Sequence, residues 1–146
     1  MQVDFYHLAA TAPERVIAAI AGRILGDGGR LLVVARDDQQ AQALDEGLWT
    51  AVPDSFLPHG RAGQAGEANQ PILIATTADS ANGARNIALA DGEWREAALG
   101  FDRVFHFFDD TTIAAARAAW KALAARDGIE RRFWKQDAAG RWTRAA

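Results

Sequence analysis

Arg117, Trp120 and Lys121 stand at i, i+3 and i+4, which puts a guanidinium, an indole and an ammonium on one face of a single helical turn. The residues around them are almost all alanine, strongly helix-forming and short in side chain. Together the three could hold a carboxylate beside an aromatic or aliphatic group. Spacing alone favours a plainer arrangement, with Trp120 in the core and the two cations in water beside it, and leaves the binding reading open. A third reading is direct binding of single-stranded nucleic acid, because Trp134 and Trp142 lie among arginines. The acidic remainder of the chain counts against a broad nucleic-acid track.

Other residue types capable of chemistry are poorly placed for it. His7, His59 and His106 are scattered, and a zinc site needs three or four converging ligands. Each histidine is therefore expected to be a hydrogen-bonded side chain. Asp45 and Glu46 are adjacent, and neighbours on a helix do not face each other, so they do not make an acid/base pair. Ser55 and Ser80 lack the strand-turn-helix setting of a nucleophile elbow. Glycines 60, 63 and 66 do not follow the dinucleotide-binding spacing. No catalytic residue, metal or cofactor is expected. A small nucleotide-dependent enzyme remains as a weaker alternative.

The length of 146 residues fits one domain, and 49% hydrophobic with 24% charged residues is ordinary for a globular protein. Without cysteine there is no disulfide or thiolate chemistry. Asp4, Glu14, Arg15 and Arg23 interrupt the first thirty residues, which argues against a signal peptide. No apolar run reaches the roughly 20 residues of a membrane span, so a cytoplasmic protein without membrane contact is expected. The net charge of −3 is segregated. From Arg117 onward eight basic residues face three acidic ones, giving +5, so the first 116 residues carry −8. Such asymmetry suggests an acidic partner for the basic end, or simply a solvated helix and tail.

The elements that must position these groups read as an α/β chain. Residues 3–8 (VDFYHL) form a strand. Thr11 and Glu14 are spaced as a capping box with Pro13 in the first turn, opening a helix with Val16, Ile17, Ile20, Ile24 and Leu25 on its stripe and Gly26 at its end. Residues 31–35 (LLVVA) are a strand buried on both faces. Asp37 or Asp38 caps a second helix with Ala41, Leu44 and Leu48 inward. This is a βαβ unit with a right-handed crossover. Residues 60–69 read as a loop, and 71–75, 84–89 and 101–108 as further strands. Asp109 or Asp110 caps a helix from 111 to about 126, ended by Gly128. What remains, 129–146, is a basic, aromatic C-terminal extension of a single domain spanning 1–146.

Between the second helix and the loop runs AQALDEGLWTAVPDSFLPH, residues 41–59, too apolar for an ordinary surface crossing. Its two motifs, Leu44-Asp45-Glu46-Gly47-Leu48-Trp49 and Ser55-Phe56-Leu57-Pro58-His59, carry a resemblance together with Phe5-Tyr6, Pro71, Ala116-Arg117 and Trp120-Lys121. The chain resembles the chi subunit of the bacterial DNA polymerase III holoenzyme. The resemblance implies a three-layer, Rossmann-like sandwich with a mostly parallel central sheet and helices on both faces. It also implies a non-catalytic adaptor in the clamp-loader assembly, nucleoid-associated through the replisome. Its partners would be the psi subunit and the acidic, Phe-terminated tail of single-stranded DNA-binding protein, giving an indirect association with single-stranded DNA. By motif match, Arg117 and Lys121 would receive the tail's carboxylates beside Trp120, and Trp49 would line the apolar part of that pocket. Phe56, Leu57 and Pro58 would face psi, with residues 50–55 separating the two surfaces. Ile113 stands where some members carry a further basic residue.

Overall fold

The computed structural model describes residues 1–50 and 57–146. Its elements in order are β1 (Gln2–His7), α1 (Pro13–Gly26), β2 (Leu31–Val34), α2 (Asp38–Thr50), β3 (His59–Arg61), β4 (Ile72–Ala75), β5 (Asn86–Leu89), β6 (Arg103–Phe108), α3 (Ile113–Leu123), β7 (Glu130–Gln136) and β8 (Trp142–Arg144). Among the described residues they build one eight-stranded sheet, ordered β3-β4-β2-β5-β6-β1-β7-β8. Every pairing is parallel except that of β8 with β7. The expected mostly parallel α/β sandwich is the observed one.

Alternation along each strand divides the apolar side chains between two cores. Tyr6, Phe105, Phe107, Leu31, Val33, Ile72 and Ile74 point to the face covered by α1 and α2. Val3, Phe5, Val104, Phe108, Leu32, Val34 and Leu73 point to the other, covered by α3 and by Trp94, Leu99 and Phe101. The two helices of the first face pack closely at Gly47. A Cβ there would come within 2.6 Å of Glu14 Cβ, so the glycine of the Leu-Asp-Glu-Gly-Leu-Trp motif is a close-approach residue. Its cost in helix propensity, about 1 kcal/mol, is offset by that contact.

Several boundaries differ from the sequence expectation. The edge strand β3 takes in the first two residues of the expected loop 60–69, because β4 offers it a free row of backbone groups. The α3 helix starts two residues late: Asp109 Oδ1 accepts from the Thr111 amide at 2.9 Å and hydroxyl at 2.6 Å, making a turn ahead of the N-cap Thr112. It ends three residues early, where the amides of Ala124, Ala125 and Arg126 bond three residues back and tighten the chain into turns. The second helix is capped as expected, since Asp37 Oδ1 accepts from the Gln40 amide at 2.9 Å.

The capping box at Thr11 does not form. Ala12 is the N-cap and has no side-chain bond, because the Thr11 hydroxyl instead accepts from Gln136 Nε2 at 2.7 Å. Gln136 belongs to the C-terminal extension, which is a β7–β8 hairpin added to the edge of β1. Its carboxamide oxygen accepts from the amides of Ala9, Ala10 and Thr11 at 3.0, 2.9 and 3.2 Å. The residue is 3% exposed. Replacing Gln136 with Ala removes the shared acceptor of these three part-buried bonds, and a loss of about 2 kcal/mol in unfolding free energy is expected by chemical denaturation.

Candidate functional site

On α3, Ala116, Ala119 and Leu123 are buried against the sheet, which fixes the opposite side of the helix to solvent. Arg117 and Lys121 are exposed, and among the described residues neither carries a hydrogen bond or ion pair. Trp120 is half-buried. Its ring lies edge-on to Phe5 at 5.3 Å and to Phe133 at 5.5 Å, so part of it is core. Arg131 completes the group: its guanidinium sits 4.0 Å from the Trp120 ring centroid, and Nη1 donates to the Trp120 carbonyl at 2.6 Å. One cation therefore lies on the indole and two more stand within the same helical turn, an arrangement that can receive a carboxylate beside an apolar group.

Arg131 was not legible as a site residue. It reaches α3 because β7 pairs in parallel with β1, opposite Val3, and alternation turns Arg131 and Phe133 to the α3 face. The run Glu-Arg-Arg-Phe-Trp-Lys-Gln carries no period-2 pattern that would have marked it as a strand, although its two aromatics suit one.

Trp49 does not join this group. It lies at the end of α2, whose buried residues Ala41, Leu44 and Leu48 belong to the core on the other face of the sheet. The expectation that Trp49 lines the Arg117 pocket is corrected: an entire sheet stands between them. Trp49 is 53% exposed and rests against the His59 ring, centroids 4.8 Å apart. Leu57 is likewise corrected as a surface residue. It is 7% exposed and packs in the α1–α2 core, so it has almost no area left to give a partner. Pro58 is half-buried beside it. Phe56 lies outside the described residues, as does most of the stretch expected to separate the two surfaces.

The histidines divide. His7 Nε2 lies 2.7 Å from Asp110 Oδ1. His59 has a fully buried side chain, Nδ1 2.6 Å from the Leu57 carbonyl oxygen and Nε2 2.8 Å from Asp45 Oδ1. The latter contact is off the line of a good hydrogen bond. His106 departs from the expectation of a bonded ring: among the described residues neither nitrogen has a hydrogen-bond partner. It is sealed among Phe5, Trp94 and Phe108, and burial lowers its pKa to about 4, opposed by Asp91 and aided by Arg95.

At the carboxyl ends of β1 and β6, where open α/β sheets hold their ligands, the structure has a cleft of about 150 Å³. That is well below the ~300 Å³ at which small-molecule sites begin. Gly92 (φ +78°) brings the chain so close that a Cβ there would lie 2.6 Å from the Thr112 hydroxyl oxygen.

A family model described as DNA polymerase III chi subunit, HolC, matches residues 1–130. Over 115 residues the chain is 30% identical to DNA polymerase III subunit chi of Escherichia coli strain K12, covering 77% of this chain and 78% of that one. Over 118 residues it is 28% identical to DNA polymerase III subunit chi of Haemophilus influenzae, covering 75% and 78%.

Proposed function

The chain belongs to the DNA polymerase III chi subunit family, and on that premise we propose that it couples the clamp-loader assembly to single-stranded DNA-binding protein. Its relatives are named DNA polymerase III subunit chi, and it is an accessory subunit of the replication machinery. The finer assignment is the binding of an acidic tail ending in an aromatic residue. The observation that supports it is the pair Arg117 and Lys121, exposed and without partners among the described residues, flanking Trp120 with Arg131 behind it. An acidic protein leaves two cations bare where an anion is to take them. The tail's carboxylates meet the guanidinium fork and the ammonium, and its terminal ring meets the open part of the indole. The affinity is expected to be micromolar, about −8 kcal/mol, and to fall with salt.

The second surface takes the psi subunit. Trp49 is assigned to it, since it stands on the face away from Arg117 and against His59, the residue that follows Pro58. The experiment is anisotropy with a labelled acidic peptide ending in Phe. Arg117→Ala is expected to weaken binding at least tenfold, as loss of a charge-assisted contact does. Trp49→Ala is expected to leave peptide affinity unchanged while weakening association with psi. Unchanged affinity in Arg117→Ala would remove the tail site from α3. Peptide binding lost in Trp49→Ala would reunite the two surfaces.

A further inference from the structure

A groove of about 710 Å³ lies on the α1 face of the sheet, between α1 and the C-terminal hairpin. It exists because the chain adds β7 and β8 beyond β1 without adding a helix to cover them on that face. Alternation turns Arg132, Trp134 and Gln136 into the uncovered space, opposite in sense to Arg131 and Phe133.

The floor is aromatic and flat. Tyr6 stacks on Phe107 beneath α1 (5.1 Å, 14° between planes), and the same layer continues outward to Trp134, 6.5 Å from Tyr6 and 11° from parallel. Trp142 stands edge-on to Tyr6 at 5.3 Å and 87°, closing one side. The platform is held in place: Trp134 Nε1 donates to Asp4 Oδ1 at 3.2 Å, and Arg103 Nη2 lies 3.1 Å from the other carboxylate oxygen, so the acid lining the groove is paired. Burial, with Asp4 beside it, pushes the Tyr6 phenol up to about 12, and among the described residues its hydroxyl has no partner. A neutral donor therefore faces the groove.

The rim is cationic. Arg15 and Arg23 project from α1 eight residues apart, about 12 Å along the helix, with the small Ala19 between them. Both are exposed and neither has an ion pair among the described residues. Arg132 adds a third guanidinium, shared with Glu130 at 3.0 Å. Two ring faces side by side with cations spaced along one edge fit a repeating ligand whose flat groups and anions recur. A single terminal aromatic residue would use one ring and one cation.

The geometry points to this groove as a binding site for a short stretch of single-stranded nucleic acid, bases on Tyr6 and Trp134 and phosphates along Arg15, Arg23 and Arg132. Stacking is sequence-tolerant because every base has a π-face, so recognition is of the strand and not of its sequence. The hairpin lies almost entirely beyond residue 130, where the family match ends, so the site is completed by this chain's extension and stands apart from the α3 tail site.

The test is anisotropy of a labelled short oligothymidylate against the full chain. Saturable binding is expected at about 20 mM salt, with log K falling against log salt at a slope of about −2 for three neutralised phosphates. The double variant Arg15→Ala, Arg23→Ala changes two exposed side chains that hold nothing, so it keeps the fold. It is expected to lose at least about tenfold in affinity and to flatten the slope by about 1.4. Arg117→Ala is expected to bind the oligonucleotide as the parent does, so this result is read separately from the fate of the tail site. Free thymidine monophosphate is expected to bind far more weakly. Absence of saturable binding at low salt, parental affinity in the double variant, equal affinity for the mononucleotide, or displacement of the strand by an acidic Phe-ended peptide would each overturn the assignment.

Discussion

Replacing Phe5 with Ala is expected to lower the unfolding free energy by about 4 kcal/mol. Phe5 is fully buried at the centre of the second core and touches four rings: Trp94 at 6.1 Å and Phe133 at 6.2 Å, both stacked, and His106 at 5.4 Å and Trp120 at 5.3 Å, both edge-on. The cost combines lost apolar burial, a cavity between strand and helix, and loss of ring contacts worth about 0.5–1.5 kcal/mol each. The consequence reaches function because Trp120 carries α3, and with it Arg117 and Lys121, onto this ring. A truncated Phe5 leaves the indole without its inner support. Urea denaturation measures the loss, and acidic-peptide titration under folding conditions measures the second effect. Phe5→Leu, which refills most of the volume, is expected to recover more than half of the stability. A cost below about 1 kcal/mol for Phe5→Ala would show that the core collapses around the gap and that Trp120 is held elsewhere.

The second large effect is on pH. His106 is neutral in the folded chain well below its ordinary pKa of 6.5, to about 4. Above about 6.5 folded and unfolded states both hold it neutral and it contributes no pH dependence. Between about 6.5 and 4 the unfolded chain binds a proton that the folded chain cannot, so stability falls as pH falls. Below about 4 the folded ring also protonates and the decline from this residue ends. The gap corresponds to about 3 kcal/mol across that window. Two other charges face the ring: Asp91, which works to raise its pKa, and Arg95, which works to lower it. They hold each other in a two-bond pair at 2.8 and 2.9 Å, so neither is free to accept or give the proton. Burial works to raise Asp91, but the bonds from Arg95 outweigh it and hold it below the usual carboxylate range, so that pair persists through most of the window. His106→Phe keeps a planar ring among Phe5, Trp94 and Phe108 and removes the proton site. Unfolding free energies of parent and variant at a series of pH values should converge in shape above 6.5 and separate below it. Parallel curves from 6.5 to 4 would remove His106 as the cause.

Where the expectations failed, the deciding partner or face was set across the fold and not along the chain. Thr11 was spaced to cap α1, but Gln136, 125 positions away, takes its hydroxyl. Trp49 and the Arg117 helix were placed in one pocket by motif match to the chi subunit family. They are on opposite faces because β2 leads by α2 toward one edge of the sheet, while β6 leads by α3 toward the other. The three histidines looked alike in sequence, yet two meet partners and the third is sealed among rings.

By itself the sequence determined the α/β class, the existence of three helices and the inner strands, the Arg117-Trp120-Lys121 turn, and the family through its Leu-Asp-Glu-Gly-Leu-Trp and Ser-Phe-Leu-Pro-His motifs. These are local: periods of 3.6 and 2 and short motifs need no knowledge of what lies across the fold. Tertiary structure alone decided that β5 and β6 insert between β1 and β2, and that the basic tail becomes two edge strands. It also decided that this tail's charge is split, Arg131 to Trp120 and Arg132 to the groove over Tyr6. The physical reason is the strand's two-residue alternation. It sends neighbours to opposite faces, and which face meets which helix is set by pairing with β1, more than a hundred residues away.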